Sequence, residues 1–188
     1  MSATPLHRCA WAEATSGLRA YHDTEWGVPL HDDRALFELL CLEGAQAGLS
    51  WRSVLERREG YRTVYRGFAI DAVAAMTDDE LAAILAGGPV IRNRLKIFSV
   101  RDNARAALAV IATEGSLDRF IWSFTGGATL RPGNTTPVAE SAESRTLSKA
   151  LRARGFRFVG PTICYAFMQA AGLVDDHQAG CFRAGGRA

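Results

Sequence analysis

The chain lacks any run approaching the roughly 20 consecutive apolar residues that cross a bilayer, which excludes a helical membrane protein. Its amino terminus, MSATPLHRCAW, has no apolar core and no small-residue cleavage site, so the expected compartment is the cytosol. Cysteine is scarce, at four residues in 188, and a reducing cytosol would keep those thiols out of disulfides. Charge of one sign is lacking too: 22 basic and 20 acidic residues leave +2, which does not by itself require a polyanionic partner. Alternating strand patterns are weak throughout. Absent as well are the P-loop, G-x-G-x-x-G, G-x-S-x-G and H-E-x-x-H motifs, and the base-deaminase pair H-x-E and P-C-x-x-C. Their absence removes the common phosphate cradles, the hydrolase elbow and the open catalytic zinc sites.

What is present is helical. Asp32 can cap a helix from about Arg34 to Gln46, and Ser50 a second one through Arg57, with Gly48-Leu49-Ser50 as a tight corner between them. Thr77 opens T-D-D-E, a capping box leading into Leu81 to Leu85. Gly87, Gly88 and Pro89 stop that helix, and helical spacing resumes from Arg92 to Ala112. Two more helices are expected over 147–154 and 162–171, with a turn-rich loop over 125–144. The expectation is a single all-α domain over 1–188, with a helix, hairpin, helix lobe at about 34–112.

Charge matters by placement. Arg92, Arg94, Lys96, Arg101 and Arg105 share their stretch with only Asp102, while Arg145, Lys149, Arg152, Arg154 and Arg157 share theirs with no acid. Each stripe alone reads as a solvated helix face; two in one small domain favour a phosphate-binding surface.

Cys41 and Cys164 lie in apolar helical runs and read as core. Cys9 and Cys181 lie near the chain ends, Cys9 upstream of His22 and Cys181 four residues after His177. Two Cys and two His complete the closed tetrahedral shell of a structural zinc, although the spacing is no standard finger and incidental placement stays open.

The segment LEGAQAGLSW, 42–51, holds one carboxylate in apolar surroundings. On a helix Glu43 shares a face with Leu36, Leu39, Leu40 and Ala47, so it must be partnered, neutral or set in the wall of a cleft. Trp11, Tyr21, Trp26 and Trp51 belong to the same two segments. They either pack a junction or line a slot for a flat, electron-poor heterocycle, with the carboxylate favouring a cation.

These residues carry a resemblance. R-C-A-W (8–11), Y-H-D-T-E-W-G-V-P (21–29), C-L-E-G-A-Q-A-G-L-S-W (41–51), V-I-R-N-R-L-K-I (90–97) and the run from Gly155 to His177 closely resemble the 3-methyladenine DNA glycosylase I family of the helix-hairpin-helix superfamily. The resemblance spans about Arg8 to Cys181. It implies a helix-hairpin-helix fold of two lobes, zinc held by Cys9, His22, His177 and Cys181, and a base pocket of Glu43, Trp51, Tyr21 and Trp11. The activity it implies is release of 3-methyladenine from alkylated double-stranded DNA by a monomeric enzyme. Gln46, Gly48 and Leu49 would meet the DNA, with Leu49 on the corner as the wedge that fills the vacated stack, or else a buried loop leucine, and Gln46 beside it; Arg92, Arg94 and Lys96 would grip phosphates. Two positions depart from the family pattern: Leu18 replaces a tyrosine, and Pro89 replaces a hairpin glycine and removes one N–H. A zinc-stabilised binding module without catalysis is the main competing reading, and a small-molecule hydrolase using Glu43 as base comes last.

Overall fold

Side-chain caps define the helices that position the site. The computed structural model describes residues 6–132 and 138–185, and among these it contains ten α-helices, three 3-10 turns and no strand beyond one isolated bridge between Leu130 and Val174. Thr15 caps α1 (Ser16–Thr24), and Asp32 caps α2 (Asp33–Gln46) by accepting from the Ala35 N–H at 2.8 Å. Ser50 caps α3 (Trp51–Leu55), which ends two residues earlier than the spacing suggests. The next two helices, α4 (Arg58–Val64) and α5 (Ile70–Ala74), have no capping side chain.

The expected capping box is present at Thr77 and Glu80, opening α6 (Asp78–Gly87). Asn93 then caps α7 (Arg94–Glu114), so residues 88–93 form the hairpin. That hairpin is docked rather than free: a Cβ added at Gly60 on α4 would lie 2.3 Å from the Pro89 carbonyl, and the Ile91 N–H donates to the Tyr61 hydroxyl. Next come α8 (Leu117–Trp122), α9 (Ala142–Ala153) and α10 (Pro161–Ala170). The start of α9 lies five residues before the expected one, because Ser141 and Ser144 make a reciprocal cap. Part of the expected loop, 133–137, lies outside the described residues.

α2 runs through the centre, packing against α3, α7, α8 and α10. It separates two apolar clusters. The larger is built on Leu36, Phe37, Leu40, Leu81, Ile97 and Phe167. The smaller gathers Cys9, Tyr21, Trp26, Ala170 and Cys181, and Leu39 and Trp51 pack against both. Cys41 and Cys164 are buried, as expected of core thiols.

Candidate base-recognition and metal site

Cys9, His22, His177 and Cys181 converge, with their ligand atoms all within 4.8 Å of one another. Cys9 Sγ and Cys181 Sγ each lie 3.6 Å from His177 Nδ1, and Cys181 Sγ lies 3.4 Å from His22 Nε2. Four donors around a tetrahedral zinc, at about 2.3 Å for sulfur and about 2.0 Å for nitrogen, would stand roughly 3.5 Å apart. The residues fit, and this group can hold a metal ion. Sequence reasoning missed its support. His22 Nδ1 meets Asp23 Oδ1 at 2.9 Å, which leaves Nε2 facing the cluster, and Arg8 grips Asp23 at 2.7 and 2.9 Å. The signal was in view, since Asp23 belongs to the quoted Y-H-D motif.

Glu43 sits on α2 with 3% of its surface exposed, and its Oε2 has no hydrogen-bond partner. Trp51 Nε1 is likewise buried and unpartnered; among the described residues only Arg101 Nε shares that condition. An orphaned buried polar atom costs about 1–3 kcal/mol, so such atoms mark sites where a ligand completes the bonding. Desolvation pushes the Glu43 carboxyl up to about 8. Tyr21 stands beside it: burial first, then the Glu43 charge, holds its phenol well above the ordinary value. The Tyr21 and Trp51 rings lie 5.3 Å apart at 44°.

The structure therefore brings Glu43, Tyr21 and Trp51 together. Trp11 is set behind them, 6.4 Å from Tyr21, 5.4 Å from His22 and 5.1 Å from Trp26, and joins the slot to the metal cluster. Tyr21 and Trp51 also line a cavity of about 240 Å³ with Leu39, Leu42, Glu38 and Arg58, and Glu43 is not among its lining residues.

At the corner, Gly48 takes a left-handed backbone (φ +75°), and Leu49 is 46% exposed rather than buried in the loop. Gln46 is half-buried beside it. At the hairpin exit Arg92 and Arg94 are exposed, and neither has a carboxylate within 4.0 Å among the described residues. Lys96 behaves differently, since its Nζ donates to the Ala45 and Ala47 carbonyls at 2.9 and 2.6 Å. An ammonium at that helix end neutralises the carbonyl dipole and fixes the corner. Arg101 and Arg105 also turn inward, to the Met76 and Ala74 carbonyls.

The profile of the family described as Methyladenine glycosylase matches residues 11–184. The chain belongs to the methyladenine glycosylase family. It is 46% identical over 180 residues to the DNA-3-methyladenine glycosylase 1 of Escherichia coli (strain K12), covering 94% of this chain and 96% of that one. It is 44% identical over 179 residues to the DNA-3-methyladenine glycosylase of Haemophilus influenzae, covering 93% and 96%. A crystal structure of 3-methyladenine DNA glycosylase I superposes with a TM-score of 0.91 at 45% identity, over 95% of this chain and all of that one. The Staphylococcus aureus enzyme, whose structure describes the basis of 3-methyladenine recognition, superposes with 0.90 at 31% identity, over 95% and 97%. Within this glycosylase fold Leu18 is buried on α1, and Pro89 points its carbonyl at α4.

Proposed function

We propose that the protein is a base-excision repair glycosylase that flips 3-methyladenine out of alkylated double-stranded DNA and hydrolyses its bond to deoxyribose. The observation that carries the reading is the pair of orphaned polar atoms, Glu43 Oε2 and Trp51 Nε1, buried beside Tyr21. Methylation at N3 makes the adenine cationic, so the base leaves neutral once the glycosidic bond breaks with its electron pair. Water adds to the sugar carbon and gives its proton to solvent. Little acid catalysis is required. The sequence has no aspartate from Arg119 to Val174, beyond the hairpin helix, where relatives in the superfamily place one.

Glu43 accepts hydrogen bonds from the amino edge of the flipped base, Trp51 stacks on or donates to it, and Tyr21 positions it with Trp11 packed behind. Leu49 fills the vacated stack, with Gln46 and Gly48 shaping the corner. Arg92 and Arg94 meet phosphates, and Lys96 holds the corner to the hairpin helix. Zinc bound by Cys9, His22, His177 and Cys181 ties the chain ends together and takes no part in the reaction. The chain acts as one unit, since α2 packs into the larger cluster and its Leu39 into both; a cytosolic monomer is the form proposed for it.

Incubating the purified protein with methylated DNA tests this directly. Free 3-methyladenine in the supernatant is the expected product; DNA that is bound but keeps its methylated bases would make the protein a binding module instead.

A further inference from the structure

The second basic stripe has no role in the site described so far. In the fold it meets the first. Asp102, the one acid of either stretch, forms an ion pair with Arg157, Nε to Oδ2 at 3.1 Å, and around this pair lies an open cleft of about 550 Å³. One wall is the first turns of α7, with Arg94, Leu95 and Phe98; the other is the strap 156–160 with Arg152 beside it.

Three observations mark this cleft as built. Arg152, like Arg94, has no carboxylate within 4.0 Å among the described residues, whereas its neighbours Arg145 and Arg154 are paired with Glu140 and Glu114. Leu95 is 69% exposed, more than any other large apolar side chain among the described residues. The strap is clamped from behind: buried Asn103 holds the backbone N–H and carbonyl of Arg157 at 2.7 and 3.2 Å, and buried Ser148 donates to the Val159 carbonyl at 2.6 Å.

Between those clamps Phe158 adopts φ +57°, a left-handed backbone that strains a bulky residue. Its Cβ and carbonyl lie against Gly44, the residue after Glu43, where an added Cβ would come within 3.1 and 3.3 Å. The cleft, the hairpin exit and the Leu49 corner are thus contiguous, joined by Phe158 on Gly44 and Lys96 on Ala47.

We propose that this cleft seats the DNA sugar–phosphate backbone beside the hairpin, with Arg94, Arg152 and Arg157 meeting phosphates and Leu95 lying against deoxyribose. Cations interleaved with an exposed apolar residue match an anionic chain whose sugars are apolar on one edge. DNA competes with Asp102 for Arg157. The proposal rests on the glycosylase reading above.

The test is the salt dependence of binding to duplex DNA carrying an abasic-site analogue. Each phosphate contact contributes about 0.9 to the slope of log K against log salt. The double variant Arg152→Ser/Arg157→Ser is expected to lower that slope by about 2, to slow excision at subsaturating DNA, and to leave free 3-methyladenine binding unchanged. Arg152→Ser alone, at an exposed and unpaired position, lowers it by about 1 and serves if the double variant folds poorly. An unchanged slope in a folded variant overturns this seat. Failure of the glycosylase reading is distinguishable, because the wild-type protein would then release no base.

Discussion

A carboxyl group with a pKa of about 8 is mostly protonated at neutral pH, so Glu43 meets the lesion as an acid and ionises as the cation settles beside it. The second-order excision rate, which reports the free enzyme, is therefore expected to rise with pH to a plateau above about 8. Glu43→Gln should remove that limb and lower the rate by about a hundredfold or more. Stability moves the other way. The folded state holds the Glu43 proton up to about pH 8, while the unfolded chain loses it near its ordinary value of 4.5, so stability contributed by this group falls as pH rises between those limits. Above pH 8 the variant should melt higher than wild type, which thermal denaturation at pH 6 and pH 9 would show. Glu43 was legible in the sequence because a carboxylate stood among apolar neighbours, and the Cys9, His22, His177 and Cys181 group because four ligand-type side chains stood in pairs near the two chain ends. Phe158 was not, since nothing in the letters G-F-R-F-V-G marks which residue turns left-handed. The inward turn of Lys96 was hidden for a similar reason: its acceptors are backbone carbonyls about fifty residues away.

Among the elements, α2 has little tolerance where the turn that carries Glu43 abuts the strap at Gly44. Gly44→Ala should force Phe158 aside, with an expected loss of about 1–3 kcal/mol in chemical denaturation and a reduced excision rate that follows the displaced carboxylate. If the variant kept full stability and full activity, the contact would have no structural weight. Capping made three of the helices legible. Asp32, Ser50 and Thr77 announce their helices with side chains that accept from the first turn, and α2, α3 and α6 begin where those residues stand. The cap positions of α4 and α5 hold Arg57 and Ala69, whose side chains make no such bond, and tertiary packing defines these helices. The early start of α9 escaped notice because a serine, not a glutamate, closes its capping box.

For the molecule as a whole, the Cys/His cluster joins residue 9 to residue 181 and also backs the aromatic slot, since Trp26 packs on His177 at 4.5 Å and Trp11 on His22. Stripping the metal with a chelator, or Cys181→Ser, should lower the melting temperature by roughly 6–12 °C for a loss of about 3 kcal/mol at this size. It should also weaken binding of free 3-methyladenine. Elemental analysis of the untreated protein is expected to find one zinc per chain. The joining of the ends was readable from ligand chemistry. The meeting of the two basic stripes was not, because it depends on how α7 crosses the strap. The cluster has one more consequence, during synthesis. Cys181 and Phe182 pack on the same cluster as Tyr21, so during synthesis α1 lacks this part of its packing until residues 181 and 182 have left the ribosome. Until then the nascent chain has no finished pocket, and a prematurely terminated product cannot sample DNA for damage.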